Sequence, residues 1–322
     1  MNNNTLILKR DAAQNLVSKT QLDELAKSYL QQSLSASTQK FYAIDLRMFI
    51  AWCDSLGDTA LPATPETVAR FLAAQASRGI KPATLVRRLA AIRMAHEAKG
   101  YATPTQHKAV KAVLKGIKRE KGTAPRKKAP ATAERIENMV AHCSETVTGL
   151  RDKALLLLGF AGAFRRSELV ALTINDIERT PEGVKVTIRK SKTDQEGQGQ
   201  VVAILNGARF RVVNALNAWL SAASITDGYL FRSIKKGGQV QAMALTDRSV
   251  ANIVKRYAGM AGLTVDNFSG HSLRAGFITS GAAAGADLFK LMEVSRHKKP
   301  ETVIGYVRES KLFENHAGEK FL

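Results

Sequence analysis

Cysteine is almost absent from this 322-residue chain, which has only Cys53 and Cys143. The two fall in different segments, so neither a disulfide framework nor a cysteine-based zinc site is supported. Acidic residues are also short: 28 Asp and Glu against 48 Lys and Arg leave a formal charge of +20. Such an excess excludes an acidic, self-solvating chain and points to a polyanion, nucleic acid before a membrane surface. Long apolar runs are missing too. The longest, Ala154–Phe164, is well below the roughly 18 residues a membrane span needs. The N-terminal MNNNTLILKRDAAQ lacks a signal peptide's order of basic start, apolar run and small-residue cleavage site. The expectation is a soluble, cytoplasmic protein of a reducing compartment. What is present is a 45% hydrophobic composition, enough for two cores, because single cores stop growing near about 250–300 residues.

The first 120 residues read as helices without a convincing strand. After a tail (1–20), Phe41, Ile44, Met48, Phe49 and Trp52 recur with helical period, preceded by Ser/Thr caps and followed by Gly57. A second helix starts at Thr64-Pro65 and stops at Gly79; a third starts at Pro82, carries Leu85, Leu89 and Ile92, and stops at Gly100. In the fourth, Lys108, Lys111, Lys115 and Lys118 form a basic stripe opposite Val110, Val113, Leu114 and Ile117. A helical unit over 21–121 follows. GTAPRKKAPAT (122–132) has no periodicity and reads as a linker. Between 108 and 128 stand nine Lys/Arg, among them Arg126, Lys127 and Lys128, and one acid, Glu120. Such a run is either a solvated face or a strap along a phosphate backbone. Residues 133–322 are mixed: helices to about 172, strands at 184–190 and 200–205 around a polar turn, then mostly helix, with GYLFRS and KKGGQ as irregular connections.

Several residues in this second half carry phosphate chemistry. Arg165 and Glu168 lie one helical turn apart at a helix start, either a structural ion pair or a phosphate fork supported by a carboxylate. Arg166, offset by only two from Glu168, faces elsewhere. Arg189, Lys190 and Lys192 sit at the hairpin tip; alternation puts both lysines on one face, so spacing does not choose between them. A mobile ammonium there can protonate a leaving alkoxide. In GHSLRAG, His271 and Arg274 share one helical face. His297 precedes Tyr306 by nine residues, with Pro300 starting the helix between them.

These motifs, in this order, resemble the tyrosine recombinases of the phage integrase family: Arg165-x-x-Glu168, a Lys-Thr step at Lys192 in a hairpin, His271-x-x-Arg274, and His297 nine residues before Tyr306. Nearly the whole chain is covered, with the layout of simple two-domain members. Two positions depart from the family pattern. Arg296 stands before His297 where the family often has Gly, and Ala275 follows Arg274 where many members carry a second His.

The resemblance implies a mainly α fold: a four- or five-helix, SAM-like core-binding domain over 21–121, a basic linker, and an α-rich catalytic domain over 133–322 with a small antiparallel sheet. It implies a site-specific recombinase in which Tyr306 attacks a DNA phosphate, leaving a 3′-phosphotyrosine link and later a Holliday junction. Arg165 and Arg274 would neutralise the phosphate oxygens, His271 assist the tyrosine's proton, His297 bind an oxygen, and Lys192 protonate the leaving 5′-oxygen. No metal or cofactor is expected. The partner would be duplex DNA with paired inverted half-sites, held by Lys40, Arg87 and Arg88, by the stripe Lys108, Lys111, Lys115 and Lys118, and by Arg126, Lys127 and Lys128. A homotetramer on two sites is implied, with accessory proteins as further partners. Two rival readings are a catalytically idle DNA-binding protein and a type IB topoisomerase-like enzyme.

Overall fold

The computed structural model describes residues 18–124, 128–189, 199–310 and 318–319. The chain divides into two compact units, Met1–Pro125 and Arg126–Leu322.

The N-terminal unit is helical: α1 (Lys19–Gln32), α2 (Ala36–Asp54), α3 (Pro65–Ser77), α4 (Pro82–Ala98) and α5 (Lys108–Lys121). Ser35 and Thr64 accept the N–H groups of Thr38 and Thr67 at 3.2 Å, so α2 and α3 start where the cap residues stand. Phe71 packs edge-on against Phe49 and Trp52, and Val68, Leu72, Leu85, Ile92, Val110 and Ile117 complete the core.

The apolar face expected on α2 is the buried one only in part. Phe49 and Trp52 pack into the core as expected, but Phe41, Ile44 and Met48 are 44, 36 and 38% exposed, and Asp45 and Cys53 point inward instead. The reason lies on α4. Arg87 Nε and Nη2 donate to the two Asp45 oxygens at 2.7 and 3.0 Å, which offsets the cost of burying this carboxylate and lets its side of the helix face the bundle.

The C-terminal unit is built around α7 (Val147–Ala161), where Leu155–Leu158 are all buried. Fully burying each leucine stabilises by about 1.5–3 kcal/mol. Around it lie α6 (Ala133–Ala141), α8 (Arg166–Ala171), α9 (Val212–Ala222), α10 (Asp247–Met260), α11 (His271–Ala283), α12 (Leu288–Ser295) and α13 (Pro300–Ser310). Strands β1 (Ile177–Arg179), β2 (Gly183–Ile188) and β3 (Gln200–Leu205) form an antiparallel sheet with Val186 opposite Ile177 and Val202. Val184, Val186 and Ile188 alternate inward.

Two local features differ from expectation. KKGGQ is an irregular connection as expected, with Gly237 and Gly238 at positive φ, but the segments it joins form a second hairpin of β4 (Arg232–Ile234) and β5 (Val240–Ala244), which takes in the last two residues of GYLFRS. The second part of the expected linker is also anchored. Ala129 and Ala131 donate to the carbonyls of Asn267 and Ser272 at 2.7 and 2.9 Å, and Lys128 Nζ donates to Asp266 O at 2.5 Å. Gly276 makes this possible, because a Cβ there would collide with the Ala131 backbone. The mainly α class with small antiparallel sheets agrees with the expected fold. Among the described residues no helix is long and apolar enough to cross a membrane.

Candidate active site

Four segments of the C-terminal unit bring the site together: the α7–α8 turn with Arg165, the first turn of α11 with His271 and Arg274, the α12–α13 connection with His297, and α13 with Tyr306. Helical period makes the second of these unavoidable, because positions i and i+3 share a face. α11 and α13 pack directly, and Tyr306 lies against the small apolar cluster of Ile278, Ala282, Leu291 and Val303. Its hydroxyl emerges 3.3 Å from His271 Nε2.

Glu168 is the organising carboxylate. Buried at the third position of α8, its Oε2 accepts the Arg165 backbone N–H at 2.8 Å and its Oε1 accepts Arg165 Nη1 at 2.6 Å. Arg296 Nη2 donates to the same Oε2 at 2.9 Å. Burial alone would raise this carboxyl, but Arg296 and Arg165 outweigh it and hold it below the usual range, so it stays ionised.

Arg274 is 1% exposed, with Nη1 donating to the Ala163 carbonyl at 2.8 Å. Its Nη2 lies 3.4 Å from both ring nitrogens of His297, which puts it beside the ring rather than along one lone pair. Burial, with Arg165 and Arg296 nearby, pushes Arg274 down to about 9, and it remains charged at neutral pH. The same crowding acts on the histidines. His297 is driven down to about 3, first by burial and then by Arg274 and Arg165. His271 is lowered by burial of its ring and by Arg274, Arg165 and Arg166. Both are lowered below the ordinary imidazole value and so are mainly neutral at pH 7, and among the described residues Glu168 is the carboxylate that pairs with these guanidiniums.

The His297 tautomer follows from its neighbour. Ser295 Oγ lies 2.5 Å from Leu291 O, to which it must donate, so at 2.8 Å it accepts from His297 Nδ1–H. Nε2 is left for an incoming group.

Sequence reasoning noted Arg296 only as a departure and missed Ser295. Arg296 is 6% exposed and belongs to the set physically: Nη1 donates to Gly162 O at 2.9 Å and Val294 O at 2.5 Å, and Nη2 to Ala163 O at 2.9 Å besides Glu168. The only available signal was an arginine in a left-handed helix-cap position, and periodicity does not report that. Arg166 faces elsewhere, as read, toward Asp247 at 3.7 Å. Arg189 is accounted for at the base of the hairpin, bonded to Asp176 at 2.7 Å. Lys190 and Lys192 lie outside the described residues.

Of the residues expected to meet DNA, Lys40 and the α5 stripe Lys108, Lys111, Lys115 and Lys118 are exposed. Arg88 requires correction: it is 5% exposed and bonded to Gln75 and paired with Asp45, because the bundle needs a cation beside that buried carboxylate. Arg87 is half-buried, spending its fork on Asp45 and stacking on Phe41 at 4.8 Å. Lys128 is exposed but directed to Asp266 O, and Arg126 and Lys127 lie outside the described residues.

Comparison with known proteins gives a consistent picture. Residues 131–312 match the phage integrase family, and residues 25–99 match the phage integrase N-terminal SAM-like domain. An integrase/recombinase xerD homolog of Selenomonas ruminantium is 41% identical over 298 residues, spanning 91% of this chain and 87% of that protein. Recombinase cre of Escherichia phage P1 is 25% identical over 311 residues, spanning 89% of each. The fold is similar to that of the XerH site-specific recombinase bound to its palindromic difH substrate in a post-cleavage complex. That similarity has a TM-score of 0.65 at 19% identity and covers 92% of this chain and 82% of the other.

Proposed function

Because this chain belongs to the phage integrase family, we propose that it is a site-specific DNA recombinase whose nucleophile is Tyr306. The observation that carries the reading is the Tyr306 hydroxyl 3.3 Å from a neutral imidazole, within a set of two further guanidiniums and a second histidine. The phenol oxygen forms a bond to phosphorus, the bond to the 5′-oxygen breaks, and the 3′-phosphate remains on the tyrosine. The phenol's proton passes to His271, whose Nε2 is an acceptor at neutral pH. Lys192 supplies the proton to the departing 5′-oxygen. Arg165 and Arg274 hold the non-bridging oxygens, and His297 Nε2 joins them once the anion raises its basicity. Since Arg274 is 1% exposed in the DNA-free chain, phosphate engagement requires the neighbouring His297 or Tyr306 side chain to shift. The phosphotyrosine conserves the phosphodiester's energy, so a 5′-hydroxyl from a partner strand reverses the step without ATP.

The helical unit ending at 121 grips duplex DNA through Lys40 and the α5 lysines, with 122–132 as the basic connection to the catalytic domain. Four protomers on paired inverted half-sites assemble the junction, and the C-terminal segment with Leu312 and Phe313, which lies outside the described residues, docks a neighbour. A cytoplasmic, nucleoid-associated location fits this partner.

The test is Tyr306→Phe on a duplex that the wild-type protein selects from random sequence. Covalent protein–DNA adducts should disappear while band-shift binding persists. Adducts at the wild-type level from that variant would defeat the assignment. On substrates with two selected sites, the wild type should give recombinants; relaxation alone would point to a topoisomerase.

A further inference from the structure

Arg296 follows the last residue of α12 at φ 57°, ψ 41°, a left-handed conformation that costs a residue with a side chain about 1–2 kcal/mol relative to the right-handed region. Glycine would adopt it without that cost. The side chain also brings a third guanidinium into a buried cluster that already holds Arg165 and Arg274, where burial and its like-charged neighbour Arg165 both disfavour it. Two unfavourable choices at one position call for a compensating role.

The hydrogen bonds identify that role. Arg296 is saturated at both η nitrogens by Gly162 O, Val294 O, Ala163 O and Glu168 Oε2, and its plane lies over the Phe164 ring at 5.2 Å. With no η donor left over, its Nε–H buried without a hydrogen-bond partner among the described residues, and 6% exposure overall, it is not placed to meet a phosphate from solution. Two of its acceptors are shared with the residues that do. Glu168 accepts from Arg165, and Ala163 O accepts from Arg274 Nη1 at 2.8 Å. Ala163 is itself at φ 46°, so its carbonyl is aimed by a strained turn, and Arg296 clasps that turn from the other side.

We propose that Arg296 is a positioning residue: by bridging Glu168 and the Ala163 carbonyl it fixes Arg165 and Arg274 relative to one another and to the adjacent His297, and so sets the rate of phosphoryl transfer without contributing to DNA affinity. This rests on the reading that Arg165 and Arg274 hold the scissile phosphate. A third arginine that only stabilised the fold would lower adduct yield through unfolding. One that only supplied charge would weaken binding.

The experiment compares wild type, Arg296→Gly, Arg296→Lys and Tyr306→Phe on the selected duplex, measuring single-turnover adduct formation, band-shift affinity and urea midpoint. Arg296→Gly should slow adduct formation by roughly tenfold to a hundredfold, the scale of a sub-ångström misplacement, with affinity changed by no more than about twofold. Free guanidinium ions at concentrations well below denaturing, which can enter the vacated space, should restore part of the rate. Arg296→Lys, which keeps the charge and reaches only one of the two shared acceptors, should fold and still be slow; it decides the matter if the glycine variant does not fold. A wild-type rate in either folded variant overturns the proposal, as does a slow rate that guanidinium leaves unchanged or that follows a loss of affinity. Tyr306→Phe separates the two levels: adducts from that variant would remove the nucleophile, whereas failure at Arg296 alone leaves it in place.

Discussion

In the N-terminal unit Asp45 faces Arg87 and Arg88; in the C-terminal unit Glu168 faces Arg165 and Arg296. Each carboxylate is buried and serves two arginines, yet the surroundings differ. At Asp45 one arginine is 39% exposed through its side chain, and the other also bonds Gln75. The excess charge therefore reaches water or a neutral acceptor. At Glu168 a third guanidinium, Arg274, is buried alongside on the Ala163 carbonyl, and among the described residues three cations stand against one carboxylate, with neutral carbonyls as the other acceptors. The first arrangement is complete without a ligand. The second is short of an anion, which is the condition a phosphate relieves. Burial of an arginine beside a carboxylate does not by itself mark a functional site; the unbalanced count does.

The sharpest way to break this comparison is to remove each carboxylate. Glu168→Ala strands Arg165 and Arg296 beside the buried Arg274 and should destabilise by about 5 kcal/mol, the top of the range for breaking a buried pair. Asp45→Ala should cost less, about 3 kcal/mol, because Arg87 can turn to solvent and Gln75 remains on Arg88. Urea unfolding of the DNA-free chain measures both, and the reverse order would refute the contrast.

A smaller effect comes from pH. His297 is held at about 3, well below its ordinary value of 6.5. Below about pH 6.5 the unfolded chain takes up a proton that the folded chain refuses, so stability is lost as pH falls toward 3; above pH 6.5 this group contributes nothing. One proton sets a ceiling of ~1.4 kcal/mol per pH unit, and partial exposure keeps the slope below it. His297→Gln should flatten that part of the urea-midpoint curve. An unchanged slope would assign the acid sensitivity to other groups.

The smallest expected effect concerns the exposed cations. If about ten cationic groups meet phosphates, the log–log salt slope of DNA binding is roughly −9, and Lys111→Gln should reduce it by about one. Loss of binding with no change of slope would remove the α5 stripe from the interface.

Much of this molecule was legible in the sequence because the signals are local. Ser35, Thr64 and Pro82 mark helix starts, the alternation of Val184, Val186 and Ile188 marks a strand, and the three-residue step from His271 to Arg274 needs only helical period. The α2 face is legible only at Phe49 and Trp52, because Asp45 counts as polar until its partners on α4, 42 residues away for Arg87, are known. Arg88 stands among the DNA-contact expectations for the same reason, since its partners Asp45 and Gln75 lie on other helices. The hairpin of β4 and β5 was missed because its strands are short and only partly buried, leaving no period-two pattern to read.

The sequence by itself determined the family, the order of the candidate residues and the positive charge, since each depends on residue type and spacing along the chain. Only the tertiary structure decided that Arg296 joins Arg165 and Arg274 around one glutamate and one carbonyl, and that Arg88 belongs to a core. Those outcomes depend on which groups meet across 128 residues in one case and between two helices in the other. The energy of a buried charge is set by that company and not by its neighbours in sequence.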